Sequence, residues 1–499
     1  MDKTKHEQTP YFTALMNYRD EDVAPFDNPG HKLGRLNNEF KEAMGETVLQ
    51  CDINIPRGMD TLMHPTGVIK DAQDLMADAF GADHCFFLIN GTSVGILAMI
   101  MTVVRAKEKI ILPRNVHKSA INALILSGAV PVFIEPEIDE DLGIANGVTV
   151  ESVKKAIDEN PDAKAVFIIN PTYFGVASNI KEIARIAHEA NMAVIMDEAH
   201  GTHMGFNKKL PPSGISMGAD MTTGSIHKTG GSLTQSSILL MNDNKYFEFS
   251  RVQATLNMLQ STSPSALLIG SLDVARKHLV LEGEQMLDNA INLANYACER
   301  LNKIPGIQTY SDEHFKKQGY IGHDVTKVII KVNELGLSGF EVLAIMKDKY
   351  HVVLELAEAY VVLAIFSIGS DIRSVERMIN AFEEISYDYY GHKQTYTVPK
   401  FKYHYPPMIS RPRYAFHAPK KFVLVEDAVG EIAGESIMVY PPGIPLVIPG
   451  EEITQDFVDM IKMYRTQDCK IITELNNGYI RVIDKDNWEK YEDDGKEEE

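Results

Sequence analysis

Residues 192–201 read Met-Ala-Val-Ile-Met-Asp-Glu-Ala-His-Gly, an apolar run that passes without a break into acidic residues. In a parallel sheet the carboxyl ends of the strands line the ligand crevice, so a carboxylate emerging there, Asp197, is placed to hold a charged ligand atom. The pattern extends upstream. Short β-branched or aromatic runs at 84–90, 109–112, 130–135 and 165–170 alternate with helical spacing at 94–105, 118–126, 150–159 and 180–190. That alternation predicts an α/β unit whose sheet is mostly parallel, with crossover helices.

Two more segments fall at strand-to-helix junctions. Asn90-Gly91-Thr92-Ser93 combines a glycine, which lets backbone approach an anion, with the hydroxyls of Thr92 and Ser93 and the free amides of a helix start. This is a phosphate cup, although the same residues also make an ordinary turn and helix cap. Ser225-Ile226-His227-Lys228 stands thirty-one positions after Asp197 (228 − 197) and precedes Thr229-Gly230-Gly231-Ser232. Partial desolvation of Lys228 there lowers its pKa and makes it a Schiff-base nucleophile, while Ser225 and His227 add phosphate donors. A phosphate cup, a buried carboxylate and a reactive lysine are together what pyridoxal 5'-phosphate (PLP) requires of a protein.

Composition narrows the remaining classes. The 499 residues are 44% hydrophobic and 24% charged, which fits a multi-domain globular chain and excludes a disordered or fibrous one. Acidic residues outnumber basic ones 69 to 49, for a formal charge of −20, which argues against nucleic acid as partner and favours cationic small molecules. The four cysteines are scattered, so neither a zinc site nor a disulfide framework is indicated, and a reducing cytoplasm fits. Apolar runs such as 95–104 are too short to cross a bilayer, and the amino terminus has no signal-peptide core. A dinucleotide-binding glycine turn is absent after the first strand run, where the sequence is Asn90-Gly91-Thr92-Ser93-Val94-Gly95.

The chain resembles the Orn/Lys/Arg decarboxylase family, PLP enzymes of the aspartate-aminotransferase fold (fold type I), and is similar to its short bacterial arginine and lysine decarboxylases. The motifs that carry the resemblance run in order along the sequence. They are Pro29-Gly30-His31-Lys32, Phe80-Gly81-Ala82-Asp83, Asn90-Gly91-Thr92-Ser93, Pro113-Arg114-Asn115-Val116-His117-Lys118-Ser119, Asn170-Pro171-Thr172-Tyr173-Phe174-Gly175, Asp197-Glu198-Ala199-His200-Gly201, Ser225-Ile226-His227-Lys228 and Tyr440-Pro441-Pro442-Gly443-Ile444-Pro445. Two departures lie in the amino-terminal part: His64 stands immediately before Pro65 rather than two residues ahead of it, and Phe26-Asp27-Asn28 is a more acidic lead-in than the family's.

The resemblance implies that Lys228 is the Schiff-base lysine and Asp197 the partner of the pyridine nitrogen. It implies that Thr92, Ser93, Ser225 and His227 contact the phosphate, and that His117 stacks on the ring with Ala199 beneath it. His200 and Thr172 fall where they can reach the ring's phenolic oxygen. It further implies an amino-terminal arm over 1–70, a large PLP-binding domain over 71–305, a smaller α/β domain over 306–392 and a C-terminal α+β domain over 393–499, in a homodimer or dimer of dimers. The expected reaction is decarboxylation of a basic amino acid, with arginine to agmatine and carbon dioxide favoured on overall likeness, and lysine or ornithine as the alternatives. Glu435 is a candidate acceptor for the substrate's distal cation, and Arg413 a candidate anion-binding or interface residue. The proton donor to Cα is left between His117 and Lys228. An aminotransferase or lyase on the same fold, or a PLP-binding protein without turnover, would share Asp197 and Lys228.

Overall fold

The computed structural model describes residues 3–36, 38–391, 405–439, 444–466, 471–473 and 478–492. Its centre is a seven-stranded sheet in the order His84–Leu88, Ser237–Met241, Met221–Gly224, Ala193–Asp197, Ala165–Ile169, Lys109–Pro113, Val130–Ile134. Every neighbouring pair from Met221–Gly224 to Val130–Ile134 is parallel, whereas Ser237–Met241 is antiparallel to both of its neighbours. The sequence pattern did not single out Ser237–Met241, which lies directly behind a glycine-containing loop.

Alternation along the strands builds two apolar layers. Ile195 and Phe167 enter a cluster with the helices Gly91–Val103 and Lys118–Ser127, while Val194, Met196, Val166 and Ile168 enter another with the helices Val150–Glu159 and Ile180–Glu189. Successive side chains in a strand point to opposite faces, and a sheet covered on both faces needs apolar residues at every position. The helix Gly91–Val103 lies unusually close to the sheet: a Cβ at Gly95 would sit 2.1 Å from Thr223 Oγ1. That approach sets the start of the helix at the carboxyl ends of the strands.

Residues 264–301, whose sequence has helical spacing and is nearly free of proline, form two helices, Ala266–Leu281 and Gly283–Leu301, with Glu282 at φ −123° and ψ −9° between them. A glycine in the helix interior weakens propagation, so Gly283 marks the change of direction. The second of these helices contributes Leu293, Ala294, Ala297 and Leu301 to a separate core with a four-stranded antiparallel sheet ordered Gln308–Thr309, Lys327–Lys331, Val361–Ile365, Leu356–Ala357. A third core, including Val425, Ile437, Val447, Phe457 and Ile480, lies in the C-terminal segment, where helix Gln455–Thr466 accompanies short antiparallel strands. Among the described residues no helix is long and apolar enough to cross a membrane.

Candidate active site

Six strands of the main sheet run in one direction, and the residues just beyond their carboxyl ends converge on a cleft of about 400 Å³. Asn90 to Ser93 follow His84–Leu88, His117 follows Lys109–Pro113, and Tyr173 follows Ala165–Ile169. Asp197, Ala199 and His200 come at the end of Ala193–Asp197, and Ser225, His227 and Lys228 come after Met221–Gly224. One sheet thus gathers residues more than a hundred positions apart in sequence.

At one end of the cleft the helix Gly91–Val103 begins. Its preceding residue, Asn90, makes no side-chain cap; the Gly91 N–H donates to the Gln235 carbonyl at 2.8 Å, so it is the next amides, of Thr92 and Ser93, that lack a cap, and Gly91 adopts φ +70° with no atom within 4 Å of where a Cβ would stand. Thr92 Oγ1 and Ser225 Oγ are 3.2 Å apart and bring hydroxyls from two strand ends to the same place. The ring of His227 donates from Nδ1 to the Ser236 carbonyl at 2.9 Å, and burial together with the nearby Lys228 holds it below the usual histidine range.

At the other end Asp197 is buried, its Oδ1 accepting the Ala199 N–H at 2.9 Å. Burial raises its pKa, against which the Ala199 amide and Lys228 pull downward. Lys228 is exposed to the cleft, whose walls desolvate the amine enough to lower its pKa despite the attraction of Asp197 and Glu355. Its Nζ lies 2.8 Å from His200 Nε2 and 5.8 Å from the centre of the Tyr173 ring. The His200 ring packs against Tyr173 with centroids 4.8 Å apart, and its buried Nδ1 has no hydrogen-bond partner.

His117 caps the helix Lys118–Ser127: its Nδ1 accepts the Ser119 N–H at 3.3 Å and sits 2.7 Å from the Ser119 hydroxyl. That leaves the proton on Nε2 and keeps the ring plane fixed. Burial, with Lys228 and Lys118 close by, depresses its pKa to about 4, so the ring is neutral at physiological pH.

The residues fit PLP. The uncapped helix start and paired hydroxyls suit a phosphate, the buried carboxylate suits a protonated ring nitrogen, the amine with lowered pKa suits an aldehyde, and the orphaned His200 Nδ1 is a buried polar atom awaiting a partner.

Of the residues singled out from sequence, Thr92, Ser93, His117, Asp197, Ala199, His200, Ser225, His227 and Lys228 all line the cleft. Thr172 does not. Its hydroxyl accepts the Val176 N–H at 3.2 Å and closes the turn, and it is the next residue, Tyr173, that faces the cleft. Glu435 lies in the C-terminal segment, buried, accepting the Arg481 N–H at 2.6 Å, away from the cleft lining. Arg413 donates to the Leu126 carbonyl at 2.7 Å and the Ile125 carbonyl at 3.4 Å, at the end of helix Lys118–Ser127, where a cation meets the negative end of the helix dipole. Tyr440 to Gly443 of the proline-rich motif lie outside the described residues. Thr234 and Gln235 also line the cleft and were not foreseen; Gln235 has φ +83° and its amide donates to Asn90 Oδ1 at 3.0 Å, a pairing no local pattern announces.

Residues 9–374 match the Orn/Lys/Arg decarboxylase major domain, and residues 401–471 match the C-terminal domain of the same family. The chain belongs to the Orn/Lys/Arg decarboxylase family. It is 44% identical to an arginine decarboxylase of Bacillus subtilis, over 92% of this chain and 94% of that one, and 43% identical to an arginine decarboxylase of Halalkalibacterium halodurans over the same shares. The crystal structure of the Francisella novicida lysine decarboxylase superposes with a TM-score of 0.82 at 21% identity, covering 95% of this chain and 81% of that chain. The α/β architecture of fold type I expected from the motifs is therefore the one the family member adopts.

Proposed function

We propose that this decarboxylase converts L-arginine to agmatine and carbon dioxide with PLP held at Lys228. The observation that carries the reading is the convergence of Lys228, Asp197, His117 and the Gly91 helix start on one cleft. The identity to two arginine decarboxylases over nearly the full chain supports arginine over lysine or ornithine.

When bound, PLP supplies an electron sink for the bond broken at the substrate's Cα. Lys228 offers an amine whose surroundings favour the neutral, nucleophilic form. Asp197, oriented by the Ala199 amide, holds its charge at the end of a central strand, where it can pair with a protonated nitrogen. The helix start at Gly91, with Thr92 and Ser225, binds and orients a phosphate. His117 presents a flat neutral ring with its proton on Nε2, and the proton returned to Cα comes from His117 or Lys228, the two groups at the cleft placed to carry one.

The same proposal divides the chain into the arm 1–70, the cofactor-binding unit 71–305, the small unit 306–392 and the C-terminal unit 393–499, supported by the separate apolar cores. It includes a homodimer, supported by the large apolar side chains Phe26, Leu36, Phe40 and Met44 that the arm leaves exposed, Phe26 at 96%, and a cytoplasmic location, which the scattered cysteines of the sequence favour.

The test is incubation of the purified protein and PLP with arginine, lysine and ornithine in turn, identifying the products. Agmatine with one carbon dioxide per arginine is expected. A keto acid, or preference for lysine or ornithine, would overturn the assignment. Borohydride reduction followed by peptide mapping places the cofactor's attachment, expected at Lys228.

A further inference from the structure

The cleft brings an aromatic side chain up to the reacting amine, and no role above uses it. Tyr173 lines the cleft, with the centre of its ring 5.8 Å from Lys228 Nζ and 4.8 Å from the centre of the His200 ring, to which it is tilted by 55°. His200 Nε2 in turn lies 2.8 Å from that Nζ, so the amine, the imidazole and the phenol ring meet pairwise. Among the described residues, the hydrogen-bonding and ring contacts of the Lys228 side chain are with these two.

The fold holds the two rings against each other from behind. Gly201, next to His200, approaches the tyrosine's loop so closely that a Cβ there would sit 2.5 Å from Pro171 Cδ. At Gly175 φ is +90°, a Cβ would be 3.1 Å from the Asp324 carbonyl oxygen, and the Asp324 N–H donates to the Gly175 carbonyl at 2.8 Å. The buried Asp324 also reaches the turn that carries His200, its Oδ2 lying 3.0 Å from His203 Nε2 and 3.6 Å from Lys327 Nζ. Loop and turn share one anchor, so the Tyr173 ring is in place before a substrate arrives.

Displacement of Lys228 by a substrate leaves this amine charged. The substrate arrives as an ammonium. When its nitrogen replaces that of Lys228 on the cofactor's aldehyde carbon, one C–N bond forms and one breaks, and the two protons shed by the incoming nitrogen pass to the freed one, which already holds a proton and becomes an ammonium. That charge appears in a cleft whose walls desolvate it. A cation within about 6 Å of an aromatic centre is attracted to the electron-rich face, more strongly as water is excluded. His200, kept neutral by burial and by Lys228 itself, accepts from the same ammonium at Nε2 when its own proton sits on Nδ1.

We propose that Tyr173, with His200, seats the ammonium of the displaced Lys228: the face of the ring holds the positive charge while the substrate occupies the cofactor. The inference rests on the reading of Lys228 as the cofactor's lysine.

The test uses the full-length holoenzyme, mixed with an amine and reduced with borohydride, which fixes the cofactor to whichever nitrogen carries it. The ratio of cofactor found on the added amine to cofactor found on position 228 measures how far displacement runs. Agmatine and n-pentylamine serve as the amines, the second having no distal cation. Tyr173→Phe keeps an electron-rich ring and is expected to leave the ratio near that of the unaltered protein. Tyr173→pentafluorophenylalanine keeps the shape of the phenylalanine ring but reverses the charge of its face, and is expected to lower the ratio about 3- to 10-fold with either amine, the weight of a desolvated cation–π contact. Tyr173→Leu, which removes the face, is expected to lower it as well, and the fluorinated ring decides if the leucine variant does not fold. An equal ratio in the phenylalanine and pentafluorophenylalanine variants overturns the inference. So does a fall with agmatine alone, which would place the ring on the ligand's guanidinium instead. Reduction without added amine separates the two readings: a tag at position 228 whose displacement ignores the ring removes only the role of Tyr173, whereas no tag at 228 removes the cofactor assignment and this inference with it.

Discussion

Two groups of internal charges sit at strand ends of the same sheet and are built in opposite ways. At the seam with the C-terminal segment, Arg114 uses every arm of its guanidinium. Nε and Nη2 donate to the two oxygens of Glu451 at 2.7 and 2.6 Å, Nη1 donates to the Pro445 carbonyl at 2.9 Å, and Glu451 Oε2 also accepts the Ile448 N–H at 2.9 Å. In the cleft, three residues further along the chain and beyond, partners are missing or mismatched: His200 Nδ1 is orphaned, the Lys228 amine meets only another nitrogen, and Asp197 takes a single amide. A closed network of buried charges holds two parts of a chain together, and an open one holds a place for something else.

The comparison can be broken at either end. The largest expected effect is at the open network. Lys228→Ala should lower arginine turnover by about three orders of magnitude or more while leaving the thermal unfolding transition close to that of the unaltered chain, because the contact it removes is one nitrogen against another, Nζ against His200 Nε2, rather than a charge pair that ties elements together. Turnover of carbon dioxide and a melting curve on the same preparation check both halves. At the closed network the signs reverse. Glu451→Gln leaves the Arg114 charge buried without its counter-ion and should cost about 3–5 kcal/mol in urea unfolding, with turnover per folded molecule much less affected. If both substitutions behaved alike, the distinction between the two regions would fail.

A smaller effect sharpens the comparison through pH. His117 has a folded pKa of about 4 against 6.5 unfolded, so the unfolded chain binds more protons between those values. Its contribution to stability is therefore fully present above pH 6.5 and is lost as pH falls toward 4. His117→Asn keeps a short acceptor at the helix cap but removes the titration, and should flatten the acid loss of stability of the cofactor-free protein by on the order of 1–3 kcal/mol. Urea midpoints measured across that interval for both proteins decide it. Parallel curves would mean that the ring is not held neutral.

The sequence made the main sheet legible because five of its strands are short apolar runs separated by helices of regular spacing, and it made the cleft legible because chemistry-bearing residues sit at the strand ends. Ser237–Met241 escaped because nothing local distinguishes a strand that reverses direction, and the division at Glu282 escaped because helical spacing continues through Gly283. Thr172 and Tyr173 show the limit at single-residue scale. Both stand in one motif, yet only the turn geometry decides that the hydroxyl closes the loop and the aromatic ring faces the amine. For Glu435 the obstacle was number, since a chain with 69 acidic residues offers no local sign of which carboxylate approaches a substrate.

What the amino-acid order determined alone is which reactive groups this protein carries and that they stand at strand ends, because the period of the side chains and the position of glycines are local properties of a chain. The tertiary structure alone decided which charges are answered and which are left open: Arg114 against Glu451, Lys327 against a shared Asp324, Lys228 against a neutral His200. Electrostatic energy depends on distance and on exclusion of water, and neither is a property of spacing along the sequence.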